Sequence, residues 1–157
     1  MAHLAAHMIV HRDLAARNIL LTERHVCKVS HFSLARHVDE EDIYESVSRR
    51  PLPLRWMSPE SLSDGVFTSQ SDVWSYGVLL WELVTLGASP YPDMTGKMVT
   101  ELVTKGTQLQ VPRSCPDDLS ALMRSCWVMA AHQRPTFQAV VDMLGDINGD
   151  GRAATCD

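Results

Sequence analysis

Apolar residues crowd one stretch of the chain. In "SDVWSYGVLLWELVTLG" they occupy almost every face of a helix: Val73, Trp74, Tyr76, Val78, Leu79, Leu80, Trp81, Leu83 and Val84. A helix that is apolar all round belongs at the centre of a domain. Ser71 and Asp72 open it and Gly87 closes it, in keeping with helix start and stop chemistry. Three more helices are expected: roughly Gly96 to Lys105, from near Pro116 to about Val128, and from after Pro135 to about Leu144. A shorter one starts in "SPESL", with Ser58 as N-cap, Pro59 at the first helical position and Glu60 in the first turn.

Upstream the pattern changes. "NILL" and "HVCKV" read as two short strands around the polar turn "TERH". "RHVDEEDIYESVSRR" is polar and acidic, has no helical period, and reads as a mobile loop. The expected fold is mainly α, with helices around one central buried helix and a small β-hairpin.

Composition narrows this little. The chain has 157 residues, enough for one domain with a real core. Its net charge of -5 gives no reason to expect nucleic-acid binding. There is no run of about 18 apolar residues, so no membrane span is expected. The start, "MAHLAAHMIVHRD", is too short and too His-rich for a signal peptide. Cys27, Cys115, Cys126 and Cys156 form no C-x-x-C pair, which favours free thiols in a reducing compartment. His25, His31 and His37 recur at a spacing that fits no standard zinc pattern.

The chemistry lies in "HRDLAARN", His11 to Asn18, which follows the pattern H-R-D-L-x-x-x-N. Here the chain resembles a protein kinase, and the Ala15-Ala16-Arg17 insert resembles receptor-type tyrosine kinases. "LPLRWMSPESL" is similar to that family's substrate-positioning loop and A-P-E motif. "SDVWSYGVLLWELVTLGASPYP" and "CWVMAAHQRPTF" are similar to its central helix and closing signature. The resemblance covers residues 1–144 and is to the second, C-terminal lobe of the catalytic domain. No G-x-G-x-x-G loop or V-A-I-K lysine occurs in these residues, so the first lobe is expected to be absent and the domain partial. Residues 145–157 are expected to be a flexible tail. "DINGDGRAATCD" fits a calcium loop only in positions one, three, five and six, and ends on Asp157 where glutamate is usual.

The resemblance implies ATP-dependent phosphoryl transfer to protein tyrosine, with ATP and magnesium as cofactors and protein substrates or kinase partners. It implies a cytoplasmic location, as the intracellular part of a membrane receptor. Such transfer needs positioning and charge neutralisation above all. By resemblance, Asp13 accepts the substrate hydroxyl's proton and Arg17 lies beside it. Asn18 offers an amide oxygen to magnesium, and Leu20 lies under the adenine ring. Arg12 pairs with a phosphorylated activation-loop tyrosine, here Tyr44. Pro53, Leu54 and Trp56 form the platform for a peptide tyrosine, although plain packing is an equal role for Trp56. Asp72 holds the catalytic-loop backbone, and Glu60 pairs with Arg134.

One motif departs from the family. Thirteen residues after Asn18, where D-F-G is expected, stand His31, Phe32 and Ser33. The aspartate of that motif is the family's main magnesium ligand. Histidine replaces its oxygens with nitrogen, which magnesium disfavours, and acquires positive charge on protonation. Arg50-Pro51 stand for a usual Gly-Arg, and Ser58 for alanine. These changes leave two alternatives to a working kinase: a pseudokinase-type binding module, and a nonfunctional fragment.

Overall fold

The computed structural model describes residues 1–38 and 52–153, with 150–153 as backbone only. Thr68 starts the central helix: its hydroxyl accepts the N–H groups of Gln70 and Ser71, and the Ser71 hydroxyl accepts the Thr68 N–H. This reciprocal cap satisfies donors that a helix start leaves unpaired, so the helix begins at Ser69, slightly before the expected Ser71. In chain order the helices are α1 (Ala2–Ala6), α2 (Pro59–Ser63), α3 (Ser69–Val84), α4 (Gly96–Thr104), α5 (Asp117–Cys126) and α6 (Phe137–Ala153). The strands are β1 (Ile9–Val10), β2 (Ile19–Leu21), β3 (Cys27–Val29) and β4 (Arg36–His37). Short 3₁₀ turns form at Ala16–Asn18, Phe32–Leu34, Leu54–Trp56 and Ala131–Gln133.

The mainly helical, kinase-like architecture is the expected one. Val73, Trp74 and Val78 of α3 are buried among Val99 and Val103 of α4, Leu122 and Met123 of α5, and Phe137 and Val140 of α6. Gly77 marks the closest approach. A Cβ there would lie 2.6 Å from Trp127 Nε1 and 2.8 Å from Cys126 Cβ. Burial of α3 is not complete, however. Leu83 is exposed and, with Leu79, lines an apolar groove of about 500 Å3 that reaches Phe137 and Val140.

β2 and β3 form the expected antiparallel hairpin, with Ile19 opposite Val29 and Leu20 opposite Lys28. A second antiparallel pair was not expected: Ile9 faces His37 and Val10 faces Arg36. Residues 36–37 are therefore strand, not loop. α6 also runs past the expected end near Leu144 to Ala153, so residues 146–153 of the calcium-like stretch have a helical backbone. Among the described residues no helix is long and apolar enough to cross a membrane. Among the described residues no group of three or more His, Cys, Asp or Glu is placed to hold a metal ion.

Candidate active site

The site is built on a strained loop between β1 and β2. Arg12 has a φ of 68°, the left-handed region that costs a non-glycine residue on the order of 1–3 kcal/mol. Asp72 of α3, 1% exposed, holds that conformation. Its Oδ2 accepts the His11 N–H at 2.7 Å and its Oδ1 the Arg12 N–H at 3.0 Å. Burial pushes its carboxyl pKa up to about 6, even though both N–H groups favour the ionised form. The His11 ring, fully buried, meets the Ser30 carbonyl with Nε2 at 2.9 Å and the Asp13 N–H with Nδ1 at 3.3 Å. That pattern assigns the neutral ring with its proton on Nε2. The Arg12 guanidinium lies 4.1 Å above the Phe67 ring.

The loop thus presents three of the expected residues together. Asp13 is nearly buried, and its Oδ1 is paired with Arg17. Asn18 donates its Nδ2–H to the Asp13 carbonyl at 2.7 Å, which leaves the amide oxygen as its free polar atom. Asp13, Arg17, His31, Ser33, Leu34, Leu52 and Pro53 line a cleft of about 380 Å3. Leu54 points instead toward α4, where its Cδ1 would lie 2.7 Å from a Cβ built on Gly96. Trp56 lies under the Arg17 guanidinium, 4.2 Å from its ring centroid. Leu20 is exposed on β2. Tyr44, Arg50 and Pro51 lie outside the described residues.

Behind the site, Arg134, with a fully buried side chain, grips Glu60 at 2.7 and 2.8 Å and also donates to the Gln70 and Val128 carbonyls. Burial raises the Glu60 carboxyl pKa, but the hydrogen bonds and charge of Arg134 outweigh it, and the net shift is downward. One functional candidate was not foreseen. Glu82 of α3 is 8% exposed, and its Oε2 accepts both the Ala16 N–H and the Trp56 indole N–H at 2.9 Å. A carboxylate in the middle of the apolar run from Val78 to Val84 was the available signal, since such groups are seldom buried without partners.

The family described as protein tyrosine and serine/threonine kinase matches residues 1–144. The chain belongs to this kinase family. It is 46% identical over 144 residues to the putative molluscan insulin-related peptide(s) receptor of Lymnaea stagnalis, an alignment that takes in 92% of this chain. The chain spans 9% of that protein's length.

Kinases of this family use ATP with magnesium, so the donor set can be tested for fit. Magnesium requires several oxygen ligands in near-octahedral array. Here Asn18 offers one amide oxygen. The D-F-G position offers the His31 imidazole, whose Nε2 lies 2.9 Å from Ser33 Oγ and 4.0 Å from Asp13 Oδ2. Among the described residues lining the cleft the only carboxylate is Asp13, already held by Arg17. These residues do not fit a magnesium ion in the manner of the family. The backbone is not the cause: His31 has a φ of 62°, a conformation that histidine and aspartate both adopt more readily than most residues.

Proposed function

We propose that this chain is part of the catalytic domain of a receptor-type tyrosine kinase, one whose phosphoryl transfer is impaired at the D-F-G position. The insulin-related receptor named above supports the receptor assignment, as does the Ala15-Ala16-Arg17 sequence within the catalytic loop. On this reading a protein tyrosine enters the cleft beside Pro53 and its hydroxyl faces Asp13. Asp13 accepts that proton, and Arg17 keeps the carboxylate oriented. Leu20 underlies the adenine of ATP, and Arg12 answers phosphorylation of Tyr44. The natural setting is the intracellular side of a membrane receptor, with protein tyrosine substrates or other kinases as partners.

The observation that carries the impairment is the hydrogen-bonded pair of His31 and Ser33 beside Asp13. An imidazole there supplies neither the charge nor the oxygens that neutralise a nucleotide's phosphates. The reading also admits a binding role, in which the cleft engages a tyrosine peptide without transfer.

The test is phosphate incorporation into a generic tyrosine peptide. These 157 residues contain no glycine-rich loop, so the first lobe of a related kinase is fused ahead of Met1. The fusion with His31 and Ser33 kept is expected to transfer little or nothing. The fusion carrying His31→Asp and Ser33→Gly is expected to phosphorylate tyrosine, and Asp13→Asn in it to abolish that activity. Robust transfer by the fusion with His31 and Ser33 kept would overturn the impairment. No tyrosine transfer by the reverted fusion would overturn the kinase reading of the site.

A further inference from the structure

We infer that Glu82 is a positioning residue for Asp13, acting through Trp56 and Arg17. Four side chains form an alternating stack. The Glu82 carboxylate accepts the Trp56 indole N–H at 2.9 Å. The Trp56 ring then lies 4.2 Å from the Arg17 guanidinium carbon. Arg17 in turn pairs with Asp13 Oδ1. The order is anion, aromatic ring, cation, anion.

Each link has a physical reason. A cation over an aromatic face is held by the ring's negative quadrupole, best of all by tryptophan. A carboxylate at the indole N–H pushes electron density toward that face, so it strengthens the hold on Arg17. Hydrogen bonds that polarise one another in series are stronger than isolated ones. Glu82 also accepts the Ala16 N–H at 2.9 Å, so one oxygen fixes both the loop carrying Arg17 and the ring beneath it. Arg17 is half exposed and long, with much rotamer freedom to lose. Without a platform it would sample other rotamers. With it, Arg17 stays on Oδ1 and leaves Oδ2 on the side of His31, whose Nε2 lies 4.0 Å away. Glu82 touches neither substrate nor nucleotide in this scheme.

The inference rests on the proposed role of Asp13 as proton acceptor. A test that reads geometry instead of transfer keeps the two separable. The probe is the NMR spectrum of the 157-residue chain, with the Trp56 indole N–H assigned by Trp56→Phe and the Arg17 side-chain signals by Arg17→Lys. Glu82→Ala is expected to move the Trp56 indole N–H upfield and to remove most of the ring-current shift on the Arg17 δ-methylene protons. Glu82→Gln retains an acceptor but no charge, and is expected to give a smaller change of the same sign in both signals. Leu122→Ala, which opens a cavity on α5 where it packs against α3 and α6, serves as the control for lost stability and is expected to leave both signals in place. If Glu82→Ala does not fold, the Glu82→Gln result decides. Arg17 signals that keep their ring-current shift in a folded Glu82 variant would reduce Glu82 to a bridge between two loops and overturn the inference.

Discussion

The floor beneath the catalytic loop and the turn that faces its cleft have opposite characters. Beneath the loop, Asp72 is 1% exposed and both its oxygens are engaged by backbone N–H groups. Arg134 and Glu60 are locked together just behind. At the cleft, His31 and Ser33 are exposed and bond to each other. Removing one partner of a buried pair leaves an uncompensated charge, whereas an exposed turn can exchange side chains with little effect on folding. The difference teaches where a kinase-family chain tolerates change. Asp72, Arg134 and Glu60 are all paired, and the departure from D-F-G sits in an exposed turn.

The sharpest way to break that contrast is to cut the frame. Arg134→Ala leaves Glu60 without its cation and removes the donor that Arg134 gives to the Gln70 and Val128 carbonyls. A loss of about 3–5 kcal/mol is expected, set against a total stability of about 5–15 kcal/mol for ordinary domains. Urea unfolding is the measurement, and an effect below about 1 kcal/mol would remove the pair from the frame.

The pH dependence sharpens the same contrast. Burial raises the folded-state pKa of Asp72 to about 6 from an ordinary 3.8. Between those values the folded state binds more protons than the unfolded one, so the contribution of Asp72 to stability falls as pH rises through the window. Two units correspond to about 3 kcal/mol at most. Glu60 behaves oppositely: its lowered folded pKa gives stability that is present above its ordinary value and lost on acidification. The unfolding free energy of the native chain minus that of Asp72→Asn is expected to shrink from pH 4 to pH 6, then level. A gap that widens with pH would contradict the buried-carboxylate account.

A smaller effect is expected at the helix contact. Gly77→Ala would drive a methyl against Trp127 and Cys126, and overpacking of this kind costs about 1–3 kcal/mol. At the other end of the scale, His31→Asp with Ser33→Gly is expected to change stability by less than about 0.5 kcal/mol. A loss as large as that of Arg134→Ala would mean that the His31–Ser33 pair belongs to the frame after all.

Much of this contrast was legible in the sequence. The apolar run of α3, the cap at Ser58 and the spacing of Asp13, Arg17 and Asn18 specify their neighbours locally. The pairing of β1 with β4 was not legible, because two-residue strands carry no period and Arg36 and His37 are polar and exposed. The end of α6 was misplaced because Gly145, Asn148 and Gly149 disfavour helix, yet the backbone continues through them. Leu54 reads as part of the peptide platform but packs toward α4, and Trp56 serves as a floor for Arg17. Glu82 escaped notice because its partners are distant in sequence, at Ala16 and Trp56.

The frame is fully paired, while the turn at the D-F-G position offers no donor set that fits magnesium. The most direct measurement is ATP affinity with and without magnesium, for the first-lobe fusion carrying His31 and Ser33 and for the same fusion with His31→Asp and Ser33→Gly. Magnesium is expected to tighten ATP binding strongly in the reverted protein and to change it little in the protein that keeps His31. Equal tightening by magnesium in both would contradict the account.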